Sequence, residues 1–465
     1  MCLQNIKHEI KQKKNKIRTT YNPPRNAYEL YHPTTGSIPF RGIELSKAYT
    51  TLAEKTISRL AAQYEKKLAF LAHGSFSRRE MVSLSDIGLI ILKPDDFPQD
   101  EYEQISSQLK TNLESVGYRH VNISPWSTIQ QWIQKGRIET VDIDKVDGSR
   151  LIFGNKQLAD ELWRRIGAIE VDPEVLYSYF FVNMCYRYDR HKRHWIGIKE
   201  PNLNYMEGGM KTDVFYIVQC LRYQKPWLNH IYRSLGIRGS VDIVNESLKE
   251  WTPQIQDEYL LGPQKADDIQ NSANIFLWLR DANQYYSLEH NLLEYDIFTI
   301  AAQKIIASEI GMTRKRLMGI LEESQKSVSI AANHVEVQID WAFYRRYRNE
   351  KWWSNIWQPI KIEMYKATQQ RRKMDQDVIA KLKSSLDDPI LRLAYLWFAE
   401  DRKELSKYVE EVASRGLLTK DWPYLVGVTR NKNTPFETLE RLLPLLQSKF
   451  EWRDPTSWIE RRLQK

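Results

Sequence analysis

The chain has 465 residues, of which 42% are hydrophobic and 27% charged, a composition typical of a globular protein with buried cores. It contains no apolar run of the roughly 18 residues that a transmembrane helix needs, and no apolar segment follows its basic N-terminus, so neither membrane insertion nor a secretory signal is expected. The three cysteines form no C-x-x-C pair and the formal net charge is +9, which argues against a disulfide framework, favours a reducing cytoplasm and suits anionic partners.

Residues 1–45 are predicted to be an irregular, basic lead-in. The run of lysines and arginines between Lys7 and Arg18 could be an arm that binds nucleic acid, although a solvated terminal helix is the favoured interpretation. Residues 21–42 are dense in Pro, Gly and Tyr, which is typical of irregular backbone.

Residues 46–170 are predicted to form a small mixed α/β domain. The stretch LSKAYTTLAEKTISRLAAQYEKKL has apolar residues at helical spacing, and YEQISSQLKTNLESVG is a second predicted helix. The stretches LAFLAH, DIGLIIL, YRHVNIS and ETVDIDKV are predicted strands.

The rest of the chain is predicted to be helical. Residues 171–338 have long periodic apolar stripes, which favour a helical bundle. Residues 339–465 are expected to be a helical C-terminal extension that could be repeat-like. Within it, residues 341–373 mix Trp and Tyr with Arg and Lys, as nucleic-acid grooves do, but their helical spacing favours packing between helices.

The stretch HGSFSRREMVSLSDIGLIIL, residues 73–92, has the chemistry of a phosphate site. Gly74 permits close approach of the backbone to a phosphate, Ser75 adds a hydroxyl donor, and Arg78 could bind phosphate oxygens. Asp86 enters at the start of a strand, where a carboxylate could bind Mg²⁺. Taken alone, such a loop is more often an ordinary surface turn.

Alternation along this strand predicts which residues share a face. Ile87, Leu89 and Ile91 are expected to face the core, and Asp86 and Gly88 to lie on the other face with Ile90. His73, just before the loop, could contact a phosphate, but a structural histidine at the end of a strand is favoured.

The segment GSFSRREMVSLSDIG resembles the signature of nucleotidyltransferases of the DNA polymerase β type. It is most similar to the protein-PII uridylyltransferases, with the pattern G-G/S-x-x-R-x-E through S-D-x-D. The matching residues in this chain are Gly74, Ser75, Arg78, Glu80, Ser85 and Asp86. The resemblance implies that Gly74, Ser75, Arg78 and Ser85 contact the nucleotide and that Asp86 binds the metal.

A second segment supports the resemblance. EPNLNYMEGGMKTDVF, residues 200–215, resembles the E-P-N-L-K-E-G-P-G-G-L-R-D segment of the same family. By this resemblance Gly208 and Gly209 lie beside the nucleotide, although a plain helix entry is an equally good interpretation. The resemblance covers roughly residues 50–335.

Three departures from the family pattern bear on activity. Gly88 stands where the family has its second metal-binding Asp. The chain has no His-Asp dipeptide, so nucleotide removal by an HD hydrolase domain is not expected. The short tail is not expected to hold the family's paired small-molecule-sensing domains, so glutamine sensing is not expected either. The family's third carboxylate lies on a neighbouring strand, for which Asp142 and Asp144 are the candidates and Glu139 the fallback, although exposed acids are also common on edge strands.

The sequence therefore predicts an α/β + α protein, in which a small mixed-sheet nucleotidyltransferase domain precedes a helical bundle and a helical extension. The expected activity is Mg²⁺-dependent transfer of an NMP group from an NTP to a hydroxyl of a protein or other acceptor, with Asp86, Asp142 and Asp144 as catalytic and metal-binding residues. The alternative is a catalytically impaired pseudoenzyme that binds a nucleotide or a protein partner. A nucleic-acid partner is possible but not favoured, and no membrane partner is expected.

Overall fold

The structure is a computed structural model, and its described residues fall into two compact units. The first takes its residues from Met1–Gly136, Asp144–Ile169 and Arg193–Trp341, and the second from Arg137–Ile143, Glu170–Lys192 and Ala342–Lys465. The structure describes residues 3–23, 40–124, 126–127, 129–130, 148–167, 174, 177–178, 180–185, 200–201, 203, 263–292, 295, 297–370, 372–418, 421–447 and 453–464.

A four-stranded mixed sheet with the order β3-β2-β1-β4 is the centre of unit 1. Its strands are β1 (Ala69–His73), β2 (Ile87–Leu92), β3 (Val121–Ser124) and β4 (Arg150–Gly154). Strand β1 pairs antiparallel with β2 and with β4, whereas β2 and β3 are parallel. Because β1 and β2 are antiparallel, the end of β1 and the start of β2 lie at the same edge of the sheet.

The central strands are buried on both faces. Every residue of β1 and of β2 is buried, so the expected alternation in β2 is only half right: Gly88 and Ile90 are as inaccessible as Ile87 and Leu89. A strand in the middle of a sheet that is covered on both faces reads as a continuous apolar run, and IGLIIL is such a run.

Helix α2 (Gly42–Leu60) packs against β4 of this sheet, and helices α1 (Leu3–Tyr21) and α6 (Pro263–Glu289) pack against α2. The lead-in is thus helical rather than irregular over Leu3–Tyr21, because Ile6 and Ile10, one helical turn apart, are both buried.

Helices α2 and α6 approach each other closely at Gly42. A Cβ atom built on Gly42 would lie 2.1 Å from the carbonyl oxygen of Asn274, and the Asn274 side chain accepts a hydrogen bond from the Ile43 N–H. Only a glycine permits this backbone approach, which sets the position of α6 over the N-terminal domain.

The other helices of unit 1 are α3 (Gly74–Ser77), α4 (Gln99–Ser115), α5 (Lys156–Gly167), α7 (Ile300–Glu309) and most of α8 (Arg314–Tyr347). Unit 2 is helical throughout its described part. After α9 (Glu350–Trp352) and a π-helical turn (Trp353–Trp357) come α10 (Gln358–Gln369), α11 (Gln376–Lys383), α12 (Pro389–Phe398), α13 (Arg402–Arg415), α14 (Trp422–Arg430), α15 (Phe436–Gln447) and α16 (Arg453–Leu463).

Aromatic residues of the basic stretch 341–373 pack inside unit 2. Trp357 is fully buried and its indole N–H donates to the Tyr177 hydroxyl at 3.1 Å. The Tyr344 hydroxyl donates to the same oxygen, and Phe343 stacks on the Tyr177 ring. For these residues the predicted packing between helices is confirmed.

The predicted fold class, a small mixed sheet followed by helices, is confirmed. Strand β4, however, lies at Arg150–Gly154, a segment that the sequence did not single out, while the predicted strand at 139–146 lies outside the described residues. The proposed division into four segments stays a prediction. None of the helices in the described part of the chain combines the length and the apolarity needed to cross a membrane.

Candidate nucleotide site

The site loop, residues 74–86, connects β1 to β2 at one edge of the sheet. It begins with the single turn of helix α3, whose first residue, Gly74, has φ = 63°. An L-residue other than glycine is strained at this angle. No heavy atom lies within 4 Å of a Cβ built on Gly74, so the backbone here is open to an approaching ligand, as the sequence predicts for a phosphate-binding glycine.

Ser75, the next residue, is half-buried, and its carbonyl accepts from the Glu80 N–H at 2.9 Å. The Ser77 carbonyl at the end of α3 accepts from Arg150 of β4, which is also paired with Glu54 of α2. The start of the site loop is therefore tied to the sheet and to α2.

Arg78 is directed into the protein. Its side chain is 7% exposed and its Nε lies 2.9 Å from Oε2 of Glu80, which is 20% exposed. In this arrangement the pair stabilises the loop, and a direct phosphate contact by Arg78 stays a prediction. Arg79, by contrast, is exposed and has φ = 60°.

The end of the loop is a tight turn, residues 82–85, hereafter the site turn. The Ser85 hydroxyl accepts from the Val82 N–H at 2.8 Å, and the Ser85 N–H donates to the Val82 carbonyl. Ser85 is 5% exposed. Its hydroxyl holds the turn that delivers Asp86, and its predicted contact with a nucleotide stays a prediction.

Helix α6 anchors the site turn. Oδ1 of Asp281 accepts from the Ser83 N–H at 2.9 Å, and Oε1 of Gln284 accepts from the Leu84 N–H at 3.0 Å. Asp281 also accepts from the Tyr49 hydroxyl of α2 at 3.3 Å. Burial raises the pKa of the Asp281 carboxyl, against the lowering effect of the bonds from Ser83.

Helix α1 reaches the same turn from the other side. Nζ of Lys14 donates to the Ser83 carbonyl at 3.0 Å and to the Gly117 carbonyl at 3.3 Å. Burial lowers the pKa of Lys14 to about 8, although Asp281 acts in the opposite direction. The turn before Asp86 is thus held by the buried Asp281 and Gln284 of α6 and by the half-buried Lys14 of α1, two helices that are distant in sequence.

Sequence reasoning missed these anchors. Asp281 and Gln284 lie in LRDANQYY, where four polar residues stand together with one alanine between them, and such a pattern does not tell which polar residues face inward. Both are buried. The one available signal was that LWLRDANQYY belongs to a helix without breakers, in which buried polar residues need hydrogen-bond partners.

Asp86 follows the site turn and is exposed immediately before β2. Alternation along β2 places it on the same face as Gly88, two residues on. A carboxylate presented at the edge of the sheet, next to the open backbone of Gly74, is suited to binding a cation that accompanies a phosphate group.

His73 lies opposite Gly88 in the β1–β2 ladder. A Cβ built on Gly88 would lie 2.6 Å from Cε1, 2.7 Å from Nδ1 and 2.9 Å from Nε2 of His73. The imidazole, which is 8% exposed, therefore occupies the space that a side chain at position 88 would need.

The described residues do not fit a pair of metal ions. The family pattern that the sequence resembles has a second Asp at position 88, whereas in this structure the His73 ring fills the space beside Gly88. Among the described residues no three His, Cys, Asp or Glu side chains are grouped so as to hold a metal.

Four predicted site residues lie outside the described residues: Asp142, Asp144, Gly208 and Gly209. The structure brings together Gly74, Ser75, Ser85 and Asp86 at one edge of the sheet through the β1–β2 connection. The fallback Glu139 also lies outside the described residues.

Comparison with known proteins also indicates similarity to nucleotidyltransferases. Residues 41–137 match the family model described as "Putative nucleotidyltransferase DUF294". A bifunctional uridylyltransferase/uridylyl-removing enzyme of Acinetobacter baumannii is 28% identical over 172 residues, which cover 36% of this chain and 19% of that enzyme. The corresponding enzyme of Aromatoleum aromaticum is 29% identical over 189 residues, 40% of this chain and 20% of the enzyme.

These matches confirm the predicted resemblance to nucleotidyltransferases of the uridylyltransferase type. The chain spans about a fifth of the length of the curated relatives that it matches. The matched family segment contains the site loop, β1 and β2, but neither α1 nor α6, whose side chains hold the site turn.

Proposed function

We propose that unit 1 binds a nucleoside triphosphate at the site loop and transfers its NMP group to a hydroxyl of a protein or other acceptor. The observation that carries the proposal is the placement of an open glycine backbone at Gly74 and an exposed carboxylate at Asp86 on the same edge of one sheet. The family match over residues 41–137 supports it. The proposed location is the cytoplasm.

The residues of the loop have distinct proposed roles. The Gly74 backbone and the Ser75 hydroxyl donate to phosphate oxygens. Asp86 lies too near these phosphates to be favourable unless a cation stands between them. We therefore propose one Mg²⁺ bound by Asp86 with Asp142 or Asp144. Such an ion supplies positive charge beside the phosphates.

The transfer itself balances without further reagents. The acceptor hydroxyl oxygen forms a bond to the α-phosphorus, the bond from that phosphorus to the oxygen bridging the α- and β-phosphates breaks, and pyrophosphate leaves. The proton of the hydroxyl passes to Asp142 or Asp144, which we propose as the acceptor-side carboxylates.

A second candidate function is nucleotide binding without transfer. The observation that favours it is Gly88, which lacks a carboxylate and has the His73 ring above it. In a site that uses two carboxylates on one strand, the loss of one removes both charge and ligands. The protein would then serve as a nucleotide-binding or protein-interaction module.

Calorimetric titration with non-hydrolysable NTPs in Mg²⁺ tests the binding step. Asp86→Asn should raise Kd at least about tenfold, or about 1.4 kcal/mol. Asp96→Asn is the matched control, because Asp96 is also exposed but follows the opposite end of β2. Equal affinities in wild type and Asp86→Asn would contradict a role for Asp86.

Label transfer separates the two functions. In lysate, NTP labelled at the α-phosphate should leave its label on an acceptor, whereas NTP labelled at the γ-phosphate should not, because pyrophosphate leaves. Nucleotide binding without transfer of the α-label would favour the second candidate. Transfer of the γ-label would indicate a phosphotransferase and contradict both.

A further inference from the structure

The second-carboxylate position is occupied rather than vacant. Cε1, Nδ1 and Nε2 of His73 all lie within 3.0 Å of the place where a Cβ on Gly88 would be. Real Cβ atoms are not found so close to other heavy atoms, so a side chain at position 88 would require the ring to move. The ring is buried, at 8% exposure.

We propose that His73 determines the cation count of this site, so that the site binds a nucleoside triphosphate together with one divalent cation rather than two. This inference rests on the proposed nucleotide site. His73 and Gly88 are direct partners in the β1–β2 ladder, and side chains of directly opposed residues project from the same face. Asp86 lies two residues before Gly88 and therefore shares that face.

The difference in chemistry between a carboxylate and the His73 imidazole supports one cation. Mg²⁺ prefers oxygen ligands, and a carboxylate supplies both a ligand and a negative charge. An imidazole supplies neither an oxygen ligand nor a negative charge, but its N–H can donate to a phosphate oxygen. An acid at position 88 would attract a second Mg²⁺. The His73 ring that fills this space can instead donate a hydrogen bond to a phosphate oxygen.

The close contact between the His73 ring and position 88 predicts that substitutions at these two positions have non-additive effects on stability. Gly88→Asp alone should lower Tm by about 5 °C, since overpacking a buried strand destabilises the folded state. In the His73→Gly background the same substitution should lower Tm by clearly less, because the ring is gone. Gly319→Asp is the control for adding an acid at an uncrowded glycine, because no heavy atom lies within 4 Å of a Cβ built there.

The chemical part predicts the number of ions. Equilibrium dialysis against Mg²⁺ and a non-hydrolysable NTP, followed by metal analysis, should give one Mg²⁺ per bound nucleotide in wild type and in Gly319→Asp. The double variant His73→Gly/Gly88→Asp should give two. His73→Gly alone should stay at one, because removing the ring adds no carboxylate.

The outcomes separate this inference from the proposed function. Two Mg²⁺ per nucleotide in wild type, or a double variant that stays at one, would overturn the role of His73 and leave nucleotide binding intact. If Gly88→Asp lowered Tm equally in wild type and in the His73→Gly background, the steric conflict between His73 and a side chain at position 88 would be contradicted. Absence of nucleotide binding by wild type would overturn the proposed function and the one-cation site with it.

Discussion

The site turn of unit 1 and the Arg415–Leu418 segment of unit 2 are each held by a buried aspartate, but the two aspartates have different partners. Asp421 accepts from the Leu418 N–H, from the Tyr408 hydroxyl and from both terminal nitrogens of Arg415, at 2.8 and 2.6 Å. Its negative charge is therefore matched by a directly bonded guanidinium.

Asp281 holds the site turn without such a pair. It accepts from the Ser83 N–H and the Tyr49 hydroxyl, and within the described residues no cation lies in direct contact with it. Burial raises the pKa of Asp281 and lowers that of Lys14 on the other side of the turn. In unit 2, Asp421 is stabilised by its ion pair with Arg415. In unit 1, the site turn is held by Asp281 and Lys14, whose charged forms are disfavoured by burial.

Asp421→Asn should have the largest effect on stability. The amide keeps the shape but leaves Arg415 without its bidentate partner, and breaking a buried pair costs about 3–5 kcal/mol. Because the Arg415 side chain is 31% exposed, we expect about 3 kcal/mol. Denaturant unfolding measures it, and a loss below about 1 kcal/mol would mean that the ion pair does not hold this segment.

Raising the pH should stabilise unit 1 through Lys14. The pKa of Lys14 falls from 10.5 in the unfolded chain to about 8 in the folded protein. Between these values the unfolded state binds more protons, so the free energy of unfolding increases with pH, by about 2 kcal/mol from pH 7 to 9.5. The increase should vanish in Lys14→Met.

Lys13→Met provides the control for Lys14→Met. Lys13 lies in the same helix but its side chain is 51% exposed and is paired with Glu9. The pH dependence of unfolding should be the same in this variant as in wild type. A loss of the pH dependence in both variants would assign it to the helix as a whole rather than to Lys14.

Asp281→Asn, the counterpart of Asp421→Asn, should cost only about 1 kcal/mol. The amide oxygen can still accept from the Ser83 N–H, and no ion pair is broken. Unfolding and calorimetry should be measured together, since the substitution acts next to the turn that delivers Asp86. A cost equal to that of Asp421→Asn would remove the distinction between the two aspartates.

Tyr49→Phe and Tyr408→Phe give the smallest and most closely matched test. Each removes one hydroxyl donor, at 3.3 Å from Asp281 and 3.2 Å from Asp421. Within the described residues Asp281 keeps only Ser83 as its donor residue, whereas Asp421 keeps Leu418 and both terminal nitrogens of Arg415, so we expect losses of about 1 and about 0.5 kcal/mol. The reverse order in denaturant unfolding would contradict the description of Asp281 as the less satisfied acid.

The sequence predicts the elements of the site better than their contacts. The apolar runs at LAFLAH and DIGLIIL locate β1 and β2 almost to the residue, because buried central strands are continuous and apolar. Strand β4 escaped detection, since RLIFG is short and begins with an arginine. Its Arg150 is acceptable there only because Glu54 of α2 pairs with it.

The consequence of Gly88 also required the structure. The sequence identifies the missing acid, but strand register determines that His73 is its direct neighbour. From the sequence, a structural role for His73 is favoured over a phosphate contact. Nothing in the sequence alone indicates that His73 lies beside Gly88. Pairing between strands is a property of two segments together and leaves no mark on either one alone.

The anchoring of the site turn by α6 also sets an order of events during synthesis. Ser83 and Asp281 are 198 residues apart, and ribosomes add about 5–20 residues per second. The turn that presents Asp86 therefore leaves the ribosome about 10–40 s before the helix that holds it. During that interval β1 and β2 can pair, but the site turn between them lacks its hydrogen bonds to Asp281 and Gln284. In the nascent chain the sheet can therefore form before the site turn is held in place.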